Sequence, residues 1–564
     1  MPIQKSFKIN KNILIALGTN MIFVLLAVFV FGTEYATDDD IAMARIAYGL
    51  FFEPQSRLVF TCTAFGGMLK GLSLLFGGIN WQLIVYYLSL FYGGVVSLYY
   101  VLNKKEKILT NLWMLVVAGF YYSTYVSINF SVITSMLAFF GYITLFIGVE
   151  DEEKMPIALS SLTLIFSMII RYESFLAFSF FAVVSFVLIF LKNLKSTGLK
   201  TVVKKYIVPF ALALALPICL LIVDRLSYKN EEWINYLEYN DNRSQILDFQ
   251  SVLQHEDESY FVELGLTDEM VNSLKNWQFN DTEVFSEQLI IKMGEDSKKY
   301  NPKFTMDFIF SALGYSVERI CKNYYFAFAI LMLIFLTTKT DKEKHGEIKV
   351  FAAPWILILP LVVEIGFYYF MNRGIDRVFR TTGLGLWCGI FVLLSCGYFE
   401  DYKKLENLSS KWMSKVIVIL AILCLSLQVD DLKEMRGFHL IDKKEIEKEY
   451  SFLQDGRIYM CDIESIRILE EACGNWQVPS SGSLYNCIEL GGWMVNYPCA
   501  KEKQIILGVS NPYKALAYND NAYLLTTEDG EIQLEFLKSA YDKNIESELI
   551  EQHGELSVYK YSIK

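Results

Sequence analysis

Residues 13–40 read ILIALGTNMIFVLLAVFVFGTEYATDDD. The first twenty of these match the roughly 20 mostly apolar residues that a bilayer-crossing helix needs. Three consecutive carboxylates, Asp38-Asp39-Asp40, follow within a few residues, while Lys5, Lys8 and Lys11 precede the apolar run. Lysine before a span marks the cytoplasmic side, so the carboxylates are expected outside. No clear small-residue cleavage site follows the run, and it reads as a span rather than a signal peptide.

Working outward, ten further stretches carry the same signature: 81–102, 108–127, 129–149, 156–171, 174–191, 206–224, 318–337, 350–370, 381–399 and 415–430. The short loops at 103–107, 150–154, 192–205, 339–349 and 400–415 then fall inside, and four of the five are rich in Lys. The acidic loop 150–154 dissents, but acidic residues weigh little in this rule. The segment 57–79 is apolar but broken by Gly66-Gly67, Lys70, Gly71 and Gly77-Gly78. Taking it as a span would invert every later basic loop, so it reads as a helix lying at the outer interface.

Composition agrees. The 564 residues are 53% hydrophobic and 15% aromatic, and mean hydropathy is +0.32. Nine Trp and 35 Tyr suit interfacial positions. A net charge of −11 argues against a nucleic-acid binder. His255, His345, His439 and His553 are too scattered for a histidine metal site.

The expected fold class is an α-helical polytopic membrane protein of about eleven transmembrane helices. A transmembrane domain spans 1–430, with outer loops at 33–80, 225–317 and 371–380, and a small extracytoplasmic α/β domain occupies 431–564. In that tail, strands are expected at 457–461, 504–509, 522–527 and 556–562, with a helix at 463–473. A tail that folds separately would leave membrane insertion intact when removed from about Asp431. Its cysteines, Cys461, Cys473, Cys487 and Cys499, would be outside and able to form disulfides, and the sequence leaves all three pairings open. Cys62, Cys219, Cys321, Cys388, Cys396 and Cys424 lie in or beside apolar spans and read as packing residues.

Four groups can carry chemistry. Asp38-Asp39-Asp40 can supply a general base for a hydroxyl, with a neighbour binding metal or substrate. On a helix the three carboxylates would spread over different faces, so at most two serve one site. The same residues also suit a solvated helix N-terminus. Arg171-Tyr172-Glu173 interrupts an apolar stretch at the outer end of a hairpin, where ionisable residues line a site or snorkel to water. Arg373, Arg377 and Arg380 crowd one short outer loop against the positive-inside preference. Binding phosphate in bidentate fashion would explain them; lipid headgroups or Asp376 are the other partners. The loop around Glu232–Ser244, including Asp241 and Arg243, mixes aromatic rings with amides and carboxylates. It suits sugar binding or an interfacial cap equally.

Together these features resemble the GT-C superfamily of integral-membrane glycosyltransferases. The first-loop motif Thr37-Asp38-Asp39-Asp40-Ile41-Ala42-Met43 is similar to that family's acidic motif, with interfacial helices over 41–52 and 57–76. Arg171-Tyr172-Glu173 looks like its Arg-x-Glu motif. Glu489-Leu490-Gly491-Gly492-Trp493 and Ser510-Asn511-Pro512-Tyr513 resemble the outer tail of uncharacterised bacterial members. The resemblance implies a polyprenyl-phosphate-linked sugar donor, a glycan, lipid or protein acceptor, and inversion by single displacement. Asp39 is then the favoured base, followed by Asp40, and Arg377 and Arg373, with Arg380 and Arg171, hold the donor phosphate. Glu173, Arg243 and Asp241 contact substrate. A divalent metal, Mg or Mn, on Asp39 and Asp40 is a further expectation. A lipid-linked glycan polymerase or ligase, a transporter or flippase of lipid-linked sugars, and a receptor-like protein are the rival readings. Mid-membrane ionisable groups and repeated halves, which a transporter would favour, are not evident in the sequence.

Overall fold

The computed structural model describes residues 10–249, 251–301, 303, 305–338, 353–371, 374–398, 410–434 and 440–564. The described parts of the eleven apolar stretches fall on helical segments that differ in length. Among the described residues six helices are long and apolar enough to cross a membrane: Lys11–Phe31, Trp81–Asn103, Phe130–Glu150, Tyr172–Leu194, Leu199–Ser227 and Asp376–Ser395. A pair, Met306–Lys322 and Tyr324–Thr337, adds a seventh only if taken as one bent span. Four shorter apolar helices, Lys107–Gly119, Lys154–Ile170, Pro354–Phe370 and Lys415–Ser426, complete the bundle.

Phe130–Glu150 is the centre of that bundle, and every residue from Phe130 to Val149 is buried. A helix apolar on all sides can satisfy its surface only inside other helices. Gly141 lets the neighbouring helix close in: an added Cβ would sit 2.6 Å from Leu164 Cδ2. The expected span 318–337 is corrected. Extended backbone at Asn323 breaks it, and the two helices diverge by 93°. The span at 108–127 also ends early, at Gly119. A π-helical turn Tyr122–Val126 follows, then strand β2 (Ser127–Ile128), which pairs in parallel with β1 (Glu34–Tyr35) of the first loop.

Three of the loops expected inside lie together at one end of the bundle. There Lys104 pairs with Asp151 at 2.6 Å and Lys205 with Glu150 at 3.5 Å, which unites the loops at 103–107, 150–154 and 192–205. The opposite end carries the first loop, the 225–317 segment and the tail. The loop expected at 339–349, and residues 400–409 of the loop expected at 400–415, lie outside the described residues; the rest of the latter belongs to the helix Ser410–Ser426.

The tail contains a five-stranded sheet of order β4-β3-β5-β7-β6. Its strands are β3 (Ile458–Cys461), β4 (Cys487–Glu489), β5 (Ala522–Thr526), β6 (Ile545–His553) and β7 (Leu556–Ile563). Strand β3 is parallel to β4 and β5, and β7 runs antiparallel to β5 and β6. The strand expected at 504–509 is instead the end of a helix, Pro498–Ile506, started by Pro at its first position. Cys461, Cys473 and Cys487 are buried, and all four tail cysteines are free thiols.

Two observations bear on the tail's independence. The 225–317 segment is helical and shares one apolar core with the sheet. Tyr239, Leu274 and Met293 pack in the same cluster as Met460, Ile488 and Phe536. The tail also grips the first loop. Arg45, only 2% exposed, donates to the carbonyls of Gln477 (2.9 Å) and Glu470 (2.7 Å). Asn80 donates to Asn475 O at 2.7 Å, and Tyr497 to Arg57 O at 2.7 Å.

Candidate active site at the first-loop helix

Thr37 sits in extended backbone and opens the helix Asp38–Tyr48, which Gly49 ends in the left-handed region. The three carboxylates therefore occupy the first turn, where the helix dipole favours negative charge. Successive residues on a helix point about 100° apart. The three Asp side chains consequently meet three different surroundings.

Asp40 points into the protein and is fully buried. Its Oδ2 accepts from Thr37 Oγ1 (2.7 Å) and Asn129 Nδ2 (3.2 Å). Its Oδ1 accepts from the Phe130 amide (3.1 Å) and the Tyr86 hydroxyl (3.4 Å). Burial pushes this carboxyl up to about 7, against the opposing pull of its donors. Asp40 thus ties the first loop to the start of the central helix, with both oxygens occupied.

Asp39 is 31% exposed and stands 4.0 Å from Arg377 Nη2. Arg377 lies in the first turn of Asp376–Ser395, where the helix dipole disfavours a cation. One turn on, Arg380 Nε donates to Asp376 Oδ2 at 2.5 Å. Arg377 and Arg380 line a cavity of about 230 Å³ together with Thr37, Tyr122, Asn129 and Asp376. Arg373 lies outside the described residues.

Asp38 points the other way, towards the tail. Burial raises its carboxyl, offset by Arg467. Asp38 and Asp39 form one wall of a second cavity of about 360 Å³. Trp277, Glu470, Glu489 and Trp493 are among its other walls. Asp39 therefore stands between a basic cavity and an acidic, aromatic one.

The remaining expected site residues are placed less directly. Arg171 lies in extended backbone between two helices, with its guanidinium 4.3 Å from the centre of the Phe130 ring and 3.9 Å from Glu173. It supports the residue whose amide binds Asp40, and neither Arg171 nor Glu173 lines the two cavities. Arg243 is buried and bonds Asn240 at 3.0 Å. It also lies 5.3 Å from the Trp277 ring centre, so it buttresses the acidic cavity from behind. Asp241 is exposed to solvent on the same helix. Neither Arg243 nor Asp241 lines the two cavities.

The ligand set expected for a divalent ion does not assemble. Asp40 spends both oxygens on four protein donors and faces away from Asp39. Among the described residues no group of three or more His, Cys, Asp or Glu side chains converges as metal ligands. These residues do not fit the ion, and no step is derived through one.

Nothing in the sequence alone marks Arg45, Trp277 or Glu470, and Glu489 stands out only as part of the motif ending in Trp493. A signal was present there, since a Glu before Gly-Gly-Trp joins an acceptor to an aromatic face on a tight backbone.

No protein-family model matches the chain, and no curated protein sequence matches it. Among solved structures, the chain is similar to ArnT from Cupriavidus metallidurans, solved bound to undecaprenyl phosphate. Identity is 9%, coverage is 97% of both chains and the TM-score is 0.37. The architecture in hand defines a polytopic helical membrane protein with a small sheet domain at one end.

Proposed function

We propose that this protein is a membrane glycosyltransferase of the GT-C type. It moves a sugar from a polyprenyl-phosphate carrier to an extracytoplasmic glycan, lipid or protein, with inversion. The observation that carries this reading is the meeting of Asp39 and Arg377 at 4.0 Å, between a cavity lined by arginines and one lined by carboxylates and tryptophans. The lysine loops at the other end support an outward-facing site.

Asp39 is the general base. It takes the proton of the acceptor hydroxyl as that oxygen attacks the anomeric carbon. The bond from that carbon to the phosphate oxygen breaks, and the carrier phosphate leaves with the electron pair. Arg377, with Arg380 and Arg373, holds the phosphate and offsets its growing charge. A single displacement inverts the anomeric centre. Asp40 acts as a positioning residue through its four hydrogen bonds, and Arg171 supports it from behind.

The test is transfer of radiolabelled sugar from polyprenyl-phosphate donors by the purified full chain, with and without EDTA. Wild type is compared with Asp39→Asn. Transfer that collapses in the folded variant and is indifferent to EDTA supports the reading. Transfer that persists in Asp39→Asn removes the base from this residue.

A further inference from the structure

The acidic cavity has walls from three distant parts of the chain. The first-loop helix supplies Asp38, Asp39 and Ala42, the 225–317 segment supplies Trp277, and the tail supplies the rest. Its volume of about 360 Å³ falls in the range of small-molecule pockets. Two of its carboxylates are unusual. Glu470 is 2% exposed and Glu489 5%, and Oε1 of each has no hydrogen-bond partner. A buried acceptor left without a donor is costly, and such groups usually mark a missing partner. Burial also raises the Glu470 carboxyl well above its usual range, opposed by Arg45 and reinforced by Glu489.

The rest of the cavity is apolar: Ile463, Ile466, Met494 and the rings of Trp277 and Trp493. The tail is stapled to the 225–317 segment here. The amides of Phe279 and Asn280 both donate to Leu490 O at 2.8 Å. Gly491 is required, because an added Cβ would lie 1.5 Å from Trp277 O. Trp277 itself is held at φ +62°, a conformation rare for a bulky residue. Among the described residues on the cavity wall the one cation is Arg467, which is held by Glu464 and Glu471.

A ligand for this cavity must present several donors towards carboxylates and an apolar face towards rings. A phosphate would face the acidic side chains of Asp39 and Glu489, with Arg467 already engaged by Glu464 and Glu471. A sugar ring has both faces: hydroxyl edges that donate, and a C–H surface that stacks on aromatic rings. We infer that the cavity between the first-loop helix and the tail is the acceptor subsite. It takes one saccharide ring whose hydroxyls donate to Glu470 and Glu489 while Trp277 covers its face. This inference rests on the reading of Asp39 as the base, because Asp39 lies on the same wall and would face the ring's attacking hydroxyl.

The test is saturation-transfer-difference NMR on the full chain in detergent. The probes are the methyl glycosides of glucose, galactose, mannose and N-acetylglucosamine. At least one glycoside is expected to bind wild type. Glu489→Gln and Trp277→Ala are expected to weaken it by about tenfold or more, as for loss of a hydrogen bond to a charged group or of a stacking face. Trp277→Phe keeps an aromatic face and is expected to restore binding, which separates stacking from a folding defect. Arg377→Ala is expected to bind glycoside as wild type does. Absence of any glycoside binding to wild type overturns the subsite. Binding that survives both Glu489→Gln and Trp277→Ala overturns it too. If Asp39→Asn still transfers sugar while glycoside binding depends on Glu489, the base assignment fails and the subsite stands.

Discussion

Two cavities lie on either side of the Asp39–Arg377 pair, one lined by Asp39 and the other by Arg377, and they differ in charge and in aromatic content. The smaller is basic, with Arg377 and Arg380 presented by the start of one membrane helix beside the central bundle. The larger is acidic and aromatic, and most of its wall belongs to the tail. One helix, Asp38–Tyr48, contributes to this boundary: Asp38 and Asp39 line the acidic cavity, and Asp39 also stands 4.0 Å from Arg377 of the basic one. The difference suggests a division of labour. On the proposed function, the membrane bundle would bind the charged carrier and the tail a neutral acceptor. Electrostatic opposition keeps each out of the other's place.

Removing the tail from Asp431 onward breaks the comparison most completely. It deletes the acidic cavity and strips Arg45 of its carbonyl partners, in a buried site where hydrogen bonds to a charge are worth about 1.5–3 kcal/mol each. The spans are expected to insert still. Transfer is expected to vanish, and residues 33–80 to become sensitive to limited proteolysis. A truncated chain with wild-type protection of that loop would mean that the bundle alone holds it.

Asp39→Asn comes next. It removes the base and leaves both cavities standing, so transfer should drop by about 10²–10⁴-fold with acceptor binding retained. Single-turnover rates on donor-loaded protein would check it. A drop of less than about tenfold would leave general-base catalysis without a role here.

Arg377→Ala tests the basic side. Transfer should fall by about 10²–10³-fold, the size seen for losing one group that stabilises developing charge. Arg377→Lys should recover only part, because lysine restores the charge without the bidentate fork. Equal activity of Arg377→Lys and wild type would reduce the residue to a simple point charge.

The sequence made some of this legible and hid the rest, for physical reasons. Long apolar runs announce helices, and lysine loops sort their ends; contacts such as Lys104 with Asp151 agree. The spread of the three Asp side chains followed from helix geometry alone. Which one faces which partner did not, because Asp40 is defined by Asn129 and Phe130, some ninety residues away in the chain. Hydropathy also cannot see Asn323, whose extended backbone cuts an apolar stretch in two. Strand β6 went unnoticed because it is an edge strand exposed on both faces, with no alternation to detect. Glu470 sits on an amphipathic helix like any other surface glutamate would. In the folded chain it is buried, and its backbone carbonyl accepts from Arg45 of the first loop.

The smallest effect concerns Asp40, and it separates scaffold from chemistry. In the unfolded chain its carboxyl titrates near the ordinary value of about 3.9. In the folded chain burial pushes it up to about 7. Below the lower value both states are protonated, and folding bears no penalty from this group. As pH rises towards 7 the unfolded state ionises first, so stability falls; above 7 the loss is constant. Between about pH 5 and pH 8 the contribution is on the order of 2–3 kcal/mol. Melting of the detergent-solubilised wild type should therefore decline across that window, and Asp40→Asn should remove this part of the decline. Asp40→Asn should also melt lower at pH 5, since its amide nitrogen must face Asn129 Nδ2 or the Phe130 N–H, donor against donor. Unchanged pH dependence in Asp40→Asn would show that the carboxyl is better solvated than its burial implies. It would then rejoin Asp39 as a candidate for direct contact with substrate.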